Sequence, residues 1–232
     1  MYKNKEVAAI IPARKSNDSI DELNLKYLGD KPLIFYTIQS AIDSTLIDKV
    51  FLSTEDKSIA ELAKDYDIEV PFYRPVELTK PSVTAKEVAI YTLKEMKDKY
   101  DIILILMPNA PFRSFEVIDS GIRYLVDNKL EKLRTVTKIK DYFINEEISQ
   151  IKLQKEKPER EFPKFSEKIV VAGGMYIYKF ESLISKNDEL NFHDFFIPRH
   201  ESTLIKSLYD LLIAERLVNL NSNLIKTLTD ST

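Results

Sequence analysis

Short apolar runs alternate with longer amphipathic stretches along the chain. The runs Val7–Pro12 (VAAIIP) and Ile102–Met107 (IILILM) are apolar throughout, and a proline stands at or directly after the end of each. Such runs are typical of strands that are buried on both faces of a sheet. Shorter runs at Val50–Ser53 and Glu69–Phe72 predict two further strands.

Helical spacing dominates the stretches between these runs. Thr84 and Glu87 have the spacing of a capping box and predict a helix that continues to about Lys97. Ser114 is a good N-cap for another helix. The apolar stripes of the remaining predicted helices are Leu33, Ile34, Thr37, Ile38, Ala41 and Ile42; then Ile59, Leu62, Ala63 and Tyr66; and, in a last helix over about 204–217, Leu204, Leu208, Leu211 and Leu212 facing inward.

Strands that alternate with helices indicate an α/β fold, an open and mostly parallel sheet covered on both faces. After Leu133 the pattern changes to β-branched runs on either side of a Lys/Glu-rich stretch near 152–168, which predicts strands around a polar excursion. No linker divides the chain, so we expect one domain over residues 1–232. Ligands of such sheets bind beyond the carboxyl ends of the strands, which directs attention to residues 12–28, 53–56 and 108–113.

Composition excludes several classes of site. The 232 residues include four glycines, none before Gly29, so neither a G-x-G-x-x-G fingerprint nor a P-loop is present. The absence of cysteine excludes disulfides, zinc–thiolate sites and cysteine nucleophiles. A formal net charge of -3 gives no electrostatic case for nucleic acid, and no apolar run is long enough to span a bilayer. We therefore expect a cytoplasmic protein with neither nucleic acid nor membrane as a partner.

Six motifs distributed over roughly residues 7–215 resemble the sugar-activating cytidylyltransferases. They are IIPAR at 10–14, LGDKPLIFYTI at 28–38, LSTED at 52–56, VPFYRP at 70–75, LMPNAPFR at 106–113 and GGMYIY at 173–178. The sequence is most similar to the acylneuraminate cytidylyltransferases, also called CMP-sialic acid synthetases, and next to the CMP-Kdo synthetases. The resemblance implies a Rossmann-like nucleotidyltransferase domain of the nucleotide-diphospho-sugar transferase type, with residues 138–170 as a small dimerisation protrusion of a homodimer.

The resemblance also implies a reaction and a set of site residues. CMP would pass from CTP to a sialic-acid-type sugar acid with release of pyrophosphate, and Mg²⁺ would be the cofactor. The implied positions are Arg14 and Lys15 as catalytic cations; Pro12, Ala13, Arg14, Asn24, Arg74, Ser82 and Thr84 at the nucleotide; and Met107, Asn109, Arg160 and Tyr176 at the sugar acid.

Several positions depart from the family pattern. Asp18 and Leu23 stand where the family has loop lysines, and Met107 stands where it usually has glutamine. Leu204 and Lys206 stand where it has two metal-binding aspartates, so no metal ligand is identifiable. These losses favour a second hypothesis, a catalytically impaired homologue that acts as a binding, regulatory or assembly subunit. Whether Lys15 or Lys206 replaces the missing charge, which sugar acid is used, and whether CTP or UTP is preferred all stay open.

The candidate residues also have purely structural interpretations. Arg14 is equally consistent with a surface arginine at a strand end, and Asn24 with a residue that stabilises its loop. Met107 ends an apolar strand, as many core residues do. Arg160 lies in a charged run, and a run of this kind is normally a solvent-exposed surface without a role in a site. The resemblance, however, places Arg160 in a loop that reaches the partner subunit's site.

Overall fold

A six-stranded sheet forms the centre of the protein in a computed structural model that describes residues 2–15, 20–97, 99–141, 166–185 and 191–229. The strands are β1 (Val7–Pro12), β2 (Tyr27–Leu28), β3 (Lys31–Pro32), β4 (Lys49–Ser53), β5 (Ile102–Leu106), β6 (Lys132–Asp141), β7 (Ser166–Lys179) and β8 (His193–Phe196). The sheet order is β4-β1-β5-β7-β6-β8, and β2 pairs with β3 in a separate hairpin. Among the six strands that the structure describes in this sheet, β7 alone runs antiparallel to its neighbours. The predicted α/β fold with a mostly parallel sheet is confirmed.

Six α-helices are described, and the two caps that the sequence indicated, those of α3 and α4, are both present. The helices are α1 (Leu33–Asp43), α2 (Lys57–Lys64), α3 (Ala85–Met96), α4 (Phe115–Asp127), α5 (Phe180–Ile184) and α6 (Leu208–Thr229). Thr84 and Glu87 form the predicted capping box of α3, and the Ser114 hydroxyl accepts the Val117 amide at the start of α4. Both caps satisfy amides that have no partner within the helix.

Both faces of the sheet are buried, as the apolar runs predict. Val7, Ala9 and Ile11 of β1 pack into the core beneath α1, α2 and α4. The alternate residues, Ala8 and Ile10, pack on the opposite face with residues of α3 and α5. Because helices cover both faces, the edge formed by the carboxyl ends of the strands is the place for a site.

The predicted strand at Glu69–Phe72 is wrong. This stretch makes only isolated parallel bridges beside β4, from Glu69 to Phe51 and from Tyr73 to Thr54. Pro71 lies between the bridges and has no amide hydrogen to donate, which prevents a continuous ladder. Likewise Tyr66 lies beyond the end of α2, although it still packs against the core.

The predicted inward face of the last helix is confirmed at Leu211 and wrong at Leu208 and Leu212. The helix begins at Leu208 rather than Leu204, and Leu208 and Leu212 are 61% and 63% exposed. Leu211 and Ala214 are the residues that face inward. A reciprocal cap sets this start: Asp210 Oδ2 accepts the Ser207 amide at 2.8 Å, and Ser207 Oγ accepts the Asp210 amide at 3.2 Å.

The predicted dimerisation segment falls largely outside the described residues. Only its ends, 138–141 in β6 and 166–170 in β7, are described. None of the described helices combines the length and apolar character needed to cross a bilayer.

Candidate functional site

Three adjoining cavities form a cleft at the carboxyl edge of the sheet, and Met107 lines all three. The aromatic cavity (about 320 Å³) is lined by Thr84, Ala85, Lys86, Ile105, Met107, Lys132, Gly173, Tyr176, Tyr178 and Phe192. The proline cavity (about 180 Å³) is lined by Pro12, Arg14, Arg74, Leu78, Thr79, Lys80, Pro81, Val83, Ala85, Val88 and Met107. The asparagine cavity (about 130 Å³) is lined by Pro12, Arg14, Leu23, Asn24, Met107, Pro108 and Asn109. The sequence placed its candidate residues at this edge without indicating that Met107 joins the cavities.

Arg14 reaches the cleft because the backbone on either side of it is held. The Ala13 amide donates to the Ser53 carbonyl at 2.9 Å, and Asn24 Nδ2 donates to the Arg14 carbonyl at 2.8 Å. Arg14 then lines both the proline and the asparagine cavities. Asn24 thus stabilises the loop and lines the cleft at once, so the two interpretations of this residue are compatible.

Lys15 follows Arg14 and is exposed, and its ammonium lies near Glu22 rather than in the cleft. Its ammonium lies 3.7 Å from the Glu22 carboxylate, while its backbone amide donates to Glu55 Oε1 at 2.7 Å. Lys15 lines none of the three cavities. In this conformation Arg14 is the cation of this loop segment that lines the cleft.

Arg74, which lines the proline cavity, forms a buried ion pair with Glu55. Arg74 Nη2 lies 2.5 Å from Glu55 Oε2, and the two side chains are 3% and 17% exposed. The Arg74 amide also donates to the Thr54 carbonyl at 2.8 Å. Glu55 therefore ties the Arg14–Lys15 backbone to Arg74, a role that sequence reasoning missed. The position of Glu55 directly after β4 was the signal that could have indicated it.

A second buried cation, Arg113, holds backbone next to the cleft in place. Its guanidinium donates to the Gly174 carbonyl and to Thr37 Oγ1. Burial lowers the pKa of the Arg113 side chain to about 9, and the charge of Glu201 opposes that shift. Arg113 thus holds the backbone of β7 against the segment that follows β5, and it lines none of the three cavities.

Asn109 holds the segment in which the resemblance expects metal ligands. Its carbonyl accepts the Ile205 amide, and its Nδ2 donates to the Ile205 carbonyl, each at 2.9 Å. Leu204 and Lys206 flank Ile205, and Leu204 packs so closely on Gly173 that an added β-carbon there would lie 3.1 Å from Leu204 Cδ1. Magnesium requires oxygen ligands. The side chains of leucine and lysine supply none, and the described residues contain no group of three or more His, Cys, Asp or Glu placed to bind a metal. The residues at these two positions do not fit the expected cofactor.

Aromatic rings and two lysines form the aromatic cavity. The Phe192 ring meets those of Tyr176 and Tyr178 edge to face, with centres 5.8 and 5.6 Å apart. Lys132, which is 3% exposed, places its Nζ 5.0 Å from the centre of the Phe192 ring. Burial raises the pKa of the Tyr176 hydroxyl, and the nearby Arg134 charge acts in the opposite direction. Lys132 was not a sequence candidate, because lysine is normally exposed and no local pattern around residue 132 indicated burial.

The cleft brings together most of the candidate residues. Those lining it are Pro12, Arg14, Asn24, Arg74, Thr84, Met107, Asn109 and Tyr176. Ala13 is fully buried, and Ser82 is exposed and lines none of the three cavities. Arg160 lies outside the described residues. The chemical roles of these residues stay predictions.

Comparison with known sequences identifies relatives over most of the chain. A profile of the family described as Cytidylyltransferase matches residues 8–162. The chain is 32% identical over 119 residues to a CMP-N,N'-diacetyllegionaminic acid synthase of Legionella pneumophila, which covers 50% of this chain and 51% of that enzyme. It is 25% identical over 222 residues to a pseudaminic acid cytidylyltransferase of Campylobacter jejuni, covering 91% and 96% of the two chains. The match therefore spans about half of the first relative and nearly all of the second.

Solved structures show a similar fold. A structure of CMP:2-keto-3-deoxy-manno-octonic acid synthetase complexed with CTP superimposes with a TM-score of 0.68, at 15% identity, over 94% of this chain and all of that one. A 4-diphosphocytidyl-2C-methyl-D-erythritol synthase from Anaerococcus prevotii gives a TM-score of 0.58 at 18% identity, covering 93% and 99%. At these identities the similarity establishes the fold.

Proposed function

The chain belongs to the cytidylyltransferase family, and we propose that it transfers CMP from CTP to a sugar acid of the sialic acid type. In this reaction the anomeric hydroxyl of the sugar acid attacks the α-phosphorus of CTP. The bond from that phosphorus to the oxygen bridging to the β-phosphate breaks, and pyrophosphate leaves. The hydroxyl proton passes to solvent or to a base. The relatives in which sialic-acid-like sugars are the named substrates support this choice.

The observation that carries the proposal is the position of Met107 at the junction of three cavities. A nucleotidyl transfer needs two substrates whose reacting atoms meet at one point. The proline and asparagine cavities share Pro12 and Arg14, and both adjoin the aromatic cavity through Met107. We assign the first two to the nucleotide and the third to the sugar acid.

Arg14 is the cation that we assign to the triphosphate. It lines both nucleotide cavities, and an arginine binds phosphate oxygens through two parallel N–H donors. Negative charge moves along the phosphates as pyrophosphate leaves, so a cation held at this position stabilises the transition state more than the ground state. Asn24 contributes by holding the Arg14 carbonyl.

Lys132 and Lys86 are the cations that we assign to the sugar acid. Both line the aromatic cavity, and either ammonium is suited to a carboxylate. The rings of Tyr176, Tyr178 and Phe192 supply an apolar wall for the ring and the acyl groups of the sugar.

The second hypothesis, a catalytically impaired subunit, is motivated by Leu204 and Lys206 at the positions of the expected carboxylates. It makes the opposite prediction in the same assay. An impaired subunit would bind a nucleotide or a partner without releasing pyrophosphate.

Pyrophosphate release tests the proposal, with CTP or UTP offered together with a panel of nine-carbon and eight-carbon sugar acids. We expect release only when CTP and a nine-carbon acid are both present. No release with any combination would favour the impaired subunit.

Calorimetric titration with CTP tests the site itself. Arg14→Ala should weaken binding by more than about tenfold, because it removes one charge-assisted contact to a phosphate. Arg123→Ala, at an exposed position of α4, is the matched control and should bind as the parent does. An unchanged affinity in Arg14→Ala would remove Arg14 from the site.

A further inference from the structure

The cleft is lined by cations and by no carboxylate. Among the described residues that line its three cavities, five are Lys or Arg and none is Asp or Glu. The five cations are Arg14, Arg74, Lys80, Lys86 and Lys132. The two cavities that we assign to the nucleotide contain three of them, Arg14, Arg74 and Lys80. A polyanion is therefore attracted to this part of the protein, although the whole chain has a formal net charge of -3.

Two carboxylates on segments that adjoin the cleft are occupied by hydrogen bonds from the protein itself. Glu55 accepts from the Arg74 guanidinium through Oε2 and from the Lys15 amide through Oε1. Glu201 Oε2 accepts the Ser114 amide at 2.9 Å and the Ser114 hydroxyl at 2.7 Å. A divalent cation would have to displace these donors to take either carboxylate as a ligand.

The segment in which the resemblance expects metal ligands is held in place without offering any. Ile205 is fully buried, and its amide and carbonyl are both bonded to Asn109. The next carboxylate along the chain is that of Asp210, whose Oδ2 accepts the Lys206 amide at 2.9 Å and the amide and hydroxyl of Ser207 at 2.8 and 2.9 Å. Asp210 thus serves to cap α6, and the side chains at 204–206 are apolar or cationic.

We propose that the cleft binds CTP as the metal-free anion through its own cations, and that Mg²⁺ on the nucleotide weakens this binding. The inference rests on the proposed function and concerns the ionic form of its nucleotide. CTP carries about four negative charges at pH 8, and one bound Mg²⁺ cancels two of them. The attraction to Arg14 and Lys80 decreases with the charge that is removed. A site that held Mg²⁺ between its own carboxylates would instead gain affinity from the metal.

The size of the effect follows from the charges in the nucleotide cavities. Two unit charges at contact distance change an affinity by about fivefold in water and by more where the site is partly buried. Glu55 offsets part of the Arg74 charge, so we expect a Kd for CTP that is about tenfold lower in EDTA than in Mg²⁺. Lys80→Gln removes one exposed charge and should weaken binding in EDTA by about fivefold, and in Mg²⁺ by about twofold. Lys94→Gln, at an exposed position in the last turn of α3, is the matched control and should change neither value.

Calorimetric titration of the protein with CTP at pH 8, once in EDTA and once in excess MgCl₂ with the ionic strength matched by KCl, tests the proposal. Tighter binding in EDTA that Lys80→Gln reduces and Lys94→Gln does not would support it. Binding that needs Mg²⁺, that is equal in both buffers, or that Lys80→Gln leaves unchanged would overturn the proposal while the transferase function stands.

Two further outcomes separate this inference from the proposed function. Binding of CTP in neither buffer would overturn both the inference and the assignment of the cleft to CTP. Tighter binding in EDTA, together with no pyrophosphate release from any sugar acid of the panel in either buffer, would support metal-free binding and refute the proposed transfer.

Discussion

Removal of the Glu55 charge should leave the Arg74 guanidinium buried without its counter-ion. In Glu55→Gln the amide oxygen can still accept the Lys15 amide, so that contact is kept while the charge and the acceptor that face Arg74 are lost. Breaking one partner of a buried ion pair costs about 3–5 kcal/mol. The Glu55 side chain keeps 17% exposure, which places the expected loss near the lower end, at ~3 kcal/mol. For a domain of this size that corresponds to a decrease in Tm of about 6–12 °C.

Urea unfolding at pH 7 and a thermal melt measure this loss. The control is Glu131→Gln, which removes the charge from an exposed ion pair of similar length. In that pair Lys179 Nζ lies 2.6 Å from Glu131 Oε1, and the two side chains are 35% and 63% exposed. An exposed pair contributes about 0–1 kcal/mol. The double variant Glu55→Gln/Arg74→Met should lose less than the sum of its single changes. A loss in Glu55→Gln no greater than in the control would refute the buried pair.

Three further changes test other parts of the structure. Gly173→Ala should destabilise the protein by about 1–2 kcal/mol in urea unfolding, because Gly173 has a φ of +68° and an added β-carbon would lie 3.1 Å from Leu204 Cδ1; unchanged stability would mean that the turn is not as described. Leu211→Ala should cost about 2–3 kcal/mol, whereas Leu212→Ala should stay within about 0.5 kcal/mol, and equal losses would contradict the observed face of α6. Hydrogen bonds from Lys5 and from the Glu6 amide lower the pKa of Asp101, so its stabilisation is complete above the unfolded-state pKa and disappears as pH falls through the lower folded-state value. The difference in unfolding free energy between Asp101→Asn and the parent should therefore shrink below about pH 4, and a constant difference would contradict that assignment.

The buried strands and the helix starts were predictable because their signals are local. β1 and β5 are apolar at every position since both of their faces are covered, and the caps at Thr84 and Ser114 depend on residues three positions apart. The stretch at 69–72 has a strand-like composition, but Pro71 breaks its ladder. The prediction of a strand there relied on hydrophobicity and did not take into account that Pro71 has no amide hydrogen to donate.

The orientation of α6 could not be predicted from its leucines, because two overlapping stripes are available. Leu208 and Leu212 lie on one, and Leu211 and Ala214 lie on the other. The cap between Ser207 and Asp210 sets where the helix begins, and packing against the β2–β3 region then selects the face.

In the candidate site, too, some features were predictable from the sequence and others were not. Arg14, Asn24 and Met107 were predictable as residues at the carboxyl edge, because each follows or lies near the end of a predicted strand. The partners of these residues are distant in sequence, and no local pattern reports such contacts. Glu55 meets Arg74 nineteen positions away, Arg113 meets Gly174 sixty-one positions away, and the Lys132 ammonium lies over the ring of Phe192, sixty positions away.

Phosphorus NMR of a single reaction tests the central claim most directly, that this cleft joins CTP to a nine-carbon sugar acid. CTP is incubated with the parent protein and a panel of nine-carbon sugar acids of the sialic acid type, and every phosphorus-containing species is quantified over time. The account predicts that CMP-sugar and pyrophosphate appear in equal amounts as CTP disappears, and that Arg14→Ala slows both equally. CTP that stays intact, or that is hydrolysed at the same rate without the sugar acid, would contradict it.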